Sequence, residues 1–120
     1  MSLYCFTPQA YNDLFEIWNY IARDSVDAAN RVEEARFEAC AFLAEGPLRG
    51  HVREDLAELP LRFWTVQPYP NYIVVYDPRT HPLQIIRILQ GARNITDILA
   101  EGTYATLGRR LTYFLLTERL

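Results

Sequence analysis

The sequence predicts an α+β fold of order β-α-α-β-β-β: a helical hairpin packed on a small, mostly antiparallel sheet. Three observations predict it. Two long stretches of the first half carry apolar residues at helical spacing, separated by a short polar link. Three β-rich runs follow in the second half, joined by short proline-rich turns. A further run of β-formers precedes the first helical stretch.

Leu3-Tyr4-Cys5-Phe6 is that first run, and Thr7-Pro8 ends it. Threonine is a good N-cap, and proline is tolerated at the first helical position, where its missing N–H has no partner to lose. Apolar residues then recur at Tyr11, Leu14, Phe15, Trp18, Ile21 and Ala22, one stripe of an amphipathic helix. Asp13, Glu16, Arg23 and Asp24 fall mostly off the stripe and read as solvent-facing. Ser25 starts a second helix whose stripe is Ala28, Val32, Ala35, Ala39, Phe42 and Leu43, and Gly46-Pro47 stops it. The Asp24-Ser25 link makes the two helices an antiparallel hairpin.

Residues 46–60 form a polar connection, with Leu48, Val52, Leu56 and Leu59 as anchors. Strands are expected over 61–67, 72–77 and 83–90, separated by Pro68-Tyr69-Pro70-Asn71 and Pro78-Arg79-Thr80-His81-Pro82. Tyr72, Val74 and Tyr76 alternate in phase, so one face of the middle strand takes all three.

A chain of 120 residues is one domain by default, and 50% hydrophobic content argues against disorder. The elements read above form a domain over residues 1–99, and residues 100–120 form an extension. In the extension Leu107, Leu111, Phe114 and Leu115 recur at helical spacing, which reads as a third helix. Met1-Ser2-Leu3 and Glu101-Gly102 also have the look of cloning remnants, the alternative reading of both ends. No apolar run approaches the ~20 residues that span a bilayer, and no signal peptide is visible. Cys5 and Cys40 read as two buried thiols in place of a disulfide. They and the two histidines are scattered, not spaced as metal ligands, and no glycine-rich phosphate loop is present.

All twelve cations are arginine. Residues 1–60 hold five of them against eleven acids, giving −6, and residues 61–120 hold seven against four, giving +3. A protein that grips bare nucleic acid is usually basic, because it gains affinity by neutralising phosphates. The net charge of −3 argues against direct nucleic-acid binding.

Metal-free RNA cleavage needs a base, an acid and a cation at the phosphorus. The parts on offer are His51, His81, Tyr69, Tyr72, Tyr76, Arg62, Arg87 and Arg93. His81 lies in a tight turn and reads as solvent-facing. Arg62 and Arg87 each interrupt an apolar strand, which costs free energy unless the side chain faces solvent, pairs with a carboxylate or meets a ligand. Arg93 follows a Gly-Ala step just past the last strand, where a partner can approach closely.

The order of elements resembles the RelE/ParE toxin superfamily of bacterial toxin–antitoxin systems, and within it the ParE-like toxins. FTPQAYNDLFEIWNYIARDS (6–25), GHVREDLAELPLRFWTV (50–66), NYIVVYDP (71–78) and IIRILQGARNITDIL (85–99) carry the likeness. The R-x-L-x-G-A-R ending of the last stretch is its most specific part. The resemblance implies a cytoplasmic, cofactor-free toxin of the plasmid-stabilisation type, neutralised by a ParD-like antitoxin that wraps the helices and sheet. ParE-like members poison DNA gyrase; RelE-like members cut mRNA on the ribosome. Under the first reading Arg87, Gln90, Arg93 and Asn94 meet the target, and Tyr11, Phe15, Trp18 and Trp64 meet the antitoxin in an exposed apolar groove. Under the alternative, His51, Arg62, Arg87 and Tyr72 form a ribonuclease site. A third reading is an inactive relative that only binds antitoxin. Gln90 stands where many ParE-like chains have His, and Asn94 where many have Asp. Neither side chain transfers protons near neutral pH, so the strand end reads as gripping, not cutting.

Overall fold

The computed structural model describes residues 3–53 and 60–91. Within them run β1 (Tyr4–Phe6), α1 (Pro8–Ala22), α2 (Val26–Glu45), β2 (His51–Val52), β3 (Arg62–Thr65), β4 (Tyr72–Asp77) and β5 (Leu83–Gln90). The expected order is present, with one addition. β2 is a two-residue edge strand inside the connection, where His51 and Val52 pair with Phe63 and Arg62. A strand this short has no period to read in a sequence.

The sheet has the order β1-β5-β4-β3-β2. β1 runs parallel to β5, and the other neighbours are antiparallel. A bulge between Val75 and Tyr76 shifts the β4–β5 register, so that Val75 faces Arg87 and Tyr76 faces Ile85. Ile86 is thereby left without a partner on β4, and its carbonyl accepts from the Thr7 hydroxyl at 2.8 Å. The same Thr7 oxygen accepts from the Ala10 N–H at 3.0 Å. One buried side chain thus caps α1 and ties its start to β5. Ser25 caps α2 by accepting from Ala28 N–H at 3.0 Å, and Gly46 ends it.

The packing face of α1 differs from the expected stripe. Ala10, Asp13, Leu14 and Ile17 point inward. Tyr11 and Phe15 are 63% and 68% exposed. The small Ala10 lets the helix approach β5 closely, which turns the larger aromatics outward. On α2 the buried set is Ala29, Val32, Ala35, Arg36, Ala39, Cys40 and Leu43, and the expected Phe42 is exposed. Tyr72, Val74 and Tyr76 share the core with Val32, Leu43, Ile85 and Ile88, as their phase predicted. Neither cysteine is in a disulfide; Cys40 is buried and Cys5 half-buried. The anchors Leu56 and Leu59, and the extension 100–120, lie outside the described residues.

Candidate functional site

β5 outruns β1, so among the described residues its outer edge beyond Phe6 has no strand partner, and unpaired edge groups need another. α1 supplies it. The Asp13 carboxylate accepts from the Ile88 backbone N–H at 2.9 Å. It also accepts from Arg87 Nε at 2.7 Å and from Arg87 Nη2 at 2.9 Å. A two-armed guanidinium–carboxylate contact is strong and geometrically specific. Arg87, expected to meet target or RNA, is therefore engaged with an acid that read as solvent-facing. Beyond it Gln90 is exposed, and Gly91 closes the strand at φ 74°, a left-handed conformation that side chains with a Cβ resist. Arg93 and Asn94 lie outside the described residues.

The loop before β2 is held by two strand residues. Tyr76 donates its hydroxyl to the Pro47 carbonyl at 2.7 Å and accepts from the Gly50 N–H at 2.8 Å. Arg62 Nη1 donates to the carbonyls of Leu48 at 3.2 Å and Gly50 at 2.8 Å. That engagement explains an arginine within β3. His51 lies on exposed β2 and stacks on Trp64 with centroids 6.2 Å apart. Tyr72 is buried in the core, where burial pushes its hydroxyl pKa up. The four residues of the ribonuclease reading are thus committed to separate tasks. His81 is exposed in its turn. Among the described residues, no three His, Cys, Asp or Glu side chains gather as a metal-binding group.

Aromatic side chains form two surface clusters joined by α2. In the first, Phe6 lies 5.4 Å from Tyr11 and 6.1 Å from Phe37. In the second, Phe42 lies 5.3 Å from Trp64, and the Arg49 guanidinium sits 4.1 Å over the Phe42 ring. A cleft of 440 Å³ borders the first, lined by Leu3, Tyr4, Cys5, Phe6 and Tyr11. A smaller one of 220 Å³ borders the second, between α2 and β3. Of the residues expected to meet an antitoxin, Tyr11 and Trp64 line different clefts, and Phe15 is exposed on α1. Trp18 is half-buried and donates its indole N–H to Asn30 Oδ1 at 3.0 Å, bracing the hairpin. The sequence reading missed the pairing of Phe6 with Phe37; the signal for Phe37 was an aromatic residue between two acids, Glu34 and Glu38, on α2.

One buried cation stands apart. Arg36 is 0% exposed, and its three guanidinium nitrogens have no hydrogen-bond partner among the described residues. Burial pushes its pKa down, opposed by the negative charge of Glu33 and more weakly by Tyr72, Cys40 and Asp13. No helix among the described residues is long and apolar enough to cross a membrane.

Residues 4–95 match the family model for the ParE toxin of type II toxin-antitoxin system, parDE. Among solved structures, a chain of the chromosomal ParDE TA system from P. aeruginosa is similar, with a TM-score of 0.60 and 23% identity. The likeness covers 77% of this chain and 97% of that one, and at such identity it speaks for the fold. No curated protein matches the chain.

Proposed function

The chain belongs to the ParE toxin family of type II toxin–antitoxin systems, and from that premise we propose that it acts in the cytoplasm on DNA gyrase and is neutralised by a cognate ParD-like antitoxin. It grips its target and cuts no RNA. The observation that carries this reading is the end of β5. There Arg87 is held by Asp13, and the exposed residue before Gly91 is Gln90, which transfers no proton near neutral pH. Arg93 and Asn94 follow directly in sequence and complete the target-binding set. Antitoxin binding is supported by the exposed rings of Tyr11 and Phe15. Large exposed apolar side chains grouped on a small domain mark a surface that a partner covers.

Growth measurements test the reading. Induction of the chain alone should arrest bacterial growth, and co-expression of the antitoxin from its own operon should restore it. Normal growth on induction, with folded protein accumulating, would overturn the assignment.

A further inference from the structure

One buried carboxylate faces two arginines and bonds to one of them. Asp13 on α1 holds Arg87 of β5 with two hydrogen bonds and accepts a third from the Ile88 N–H. The second arginine is Arg36, across the helical hairpin. The hydrogen bond from Trp18 to Asn30 sets the register of the two antiparallel helices. From that pair, five residues back along α1 lead to Asp13, and six residues on along α2 lead to Arg36. Both helices rise by the same step, so the two positions are level to within about 1.5 Å along the axes. Both side chains point inward, Asp13 at 7% exposure and Arg36 at 0%. The charge of Asp13 acts on Arg36. Yet the Arg36 guanidinium has no hydrogen-bond partner among the described residues.

We propose that Asp13 exchanges between these two arginines, and that Arg36, by taking the carboxylate, releases Arg87 to meet the target. The exchange stands on the placement of the three side chains; the task of the released Arg87 rests on the target reading above. Arg87 lies three residues before Gln90 on β5, at the strand end assigned to that target. Arg36 is then a positioning residue, acting through Asp13 on Arg87.

In the second arrangement the carboxylate turns about its Cβ–Cγ bond. It keeps one oxygen on the Ile88 N–H and gives the other to Arg36. The interior still holds one ion pair. The cation that Asp13 does not hold is now Arg87, whose side chain is already 17% exposed, in place of Arg36, which is sealed from water. Moving that charge toward water removes a desolvation cost. Giving up the two-armed grip on Arg87 opposes the gain. Two arrangements balanced in this way form a two-state element, and a target that binds only the second draws the population toward it. A neutral side chain at position 36 would fill the space without the desolvation cost, so the exchange gives the buried charge a task.

Relaxation dispersion on the arginine Nε–H signals of the full chain, with gyrase supercoiling and antitoxin binding on the same preparations, tests the proposal. In the wild type the Arg87 Nε signal should show exchange on the μs–ms timescale. Arg36→Met should raise the melting temperature and silence that exchange. It should also weaken gyrase inhibition about tenfold or more, with antitoxin affinity unchanged. Arg36→Lys keeps a cation for Asp13 and should restore part of both the exchange and the inhibition. A purely structural Arg36 would move the melting temperature and leave the Arg87 signal as it is. Arg87 exchange that persists in Arg36→Met, or is absent from the wild type, overturns the proposal. Exchange lost with inhibition intact overturns the task given to Arg87. If the wild type leaves gyrase unimpaired, the target reading falls, and the Arg87 signal still decides the exchange by itself.

Discussion

The Asp13 carboxylate closes on Arg87 with two hydrogen bonds, at 2.7 and 2.9 Å, across 74 residues of chain. A third bond from the Ile88 N–H makes this one carboxylate the seal of the β5 edge. The ion pair is largely shielded from solvent, so removing either side chain takes away the opposite charge that the other is held against. Asp13→Ala and Arg87→Ala should each destabilise the fold by about 2–4 kcal/mol, and the double variant should cost clearly less than their sum. Denaturant unfolding of the three variants checks this. Full additivity would mean that the two side chains do not stabilise one another.

Arg36 predicts the opposite sign. A buried guanidinium without hydrogen-bond partners among the described residues carries a desolvation penalty, which the nearby negative charge of Glu33 only partly offsets. Arg36→Met keeps most of the volume and removes the charge, so it should raise the melting temperature, by about 1–4 kcal/mol in stability. Thermal unfolding measures it, and a large loss of stability would reveal an anion or water held by this side chain.

These two residues also show where sequence reading stops. Caps are punctuation, so Thr7, Ser25 and Gly46 placed both helices to within a residue. The phase of Tyr72, Val74 and Tyr76 likewise gave their shared face. An acid or an arginine on a helix reads as solvent-facing, because burial without a partner is costly. Asp13 has its partner on the far strand, and Arg36 has no hydrogen-bond partner among the described residues, so neither could be read locally. The α1 stripe misled for a related reason. Tyr11 and Phe15 are apolar but lie on the surface, and periodicity does not distinguish a core face from an exposed apolar one.

The Tyr76–Gly50 contact couples two positions. A Cβ at Gly50 would lie 2.8 Å from the Tyr76 ring carbon Cε1. Gly50→Ala should cost about 1–3 kcal/mol by overpacking, and Tyr76→Phe a similar amount through the lost bonds to Pro47 and Gly50. With the hydroxyl gone the alanine meets less resistance, so the double variant should be more stable than additivity predicts. Chemical denaturation of the set decides.

Burial pushes the Cys40 thiol up to about 12 from its ordinary value of 9.0, and raises the Tyr4, Tyr72 and Tyr76 hydroxyls. Each of these groups holds its proton longer in the folded chain than in the unfolded one. Their contribution is fully present below the unfolded pKa values and is lost as pH rises through the folded ones. Stability should therefore fall across roughly pH 9–12, and thiol reagents near pH 8 should modify Cys5 well before Cys40. Unfolding at stepped alkaline pH, with timed thiol labelling, measures both.

Phe15 separates binding from folding. At 68% exposure, Phe15→Ser should change stability by no more than about half a kcal/mol. If its ring belongs to the antitoxin surface, affinity for the antitoxin should drop by about tenfold or more. Calorimetry of binding beside thermal unfolding gives both numbers, and unchanged affinity would remove α1 from the interface.

Gyrase supercoiling and ribosome-dependent mRNA cleavage, run side by side with the same purified chain, test the central claim most directly. The account predicts that supercoiling is inhibited, that cleaved DNA accumulates with gyrase, and that mRNA on ribosomes stays intact. Unimpaired gyrase together with mRNA cleavage that His51→Ala abolishes would contradict it.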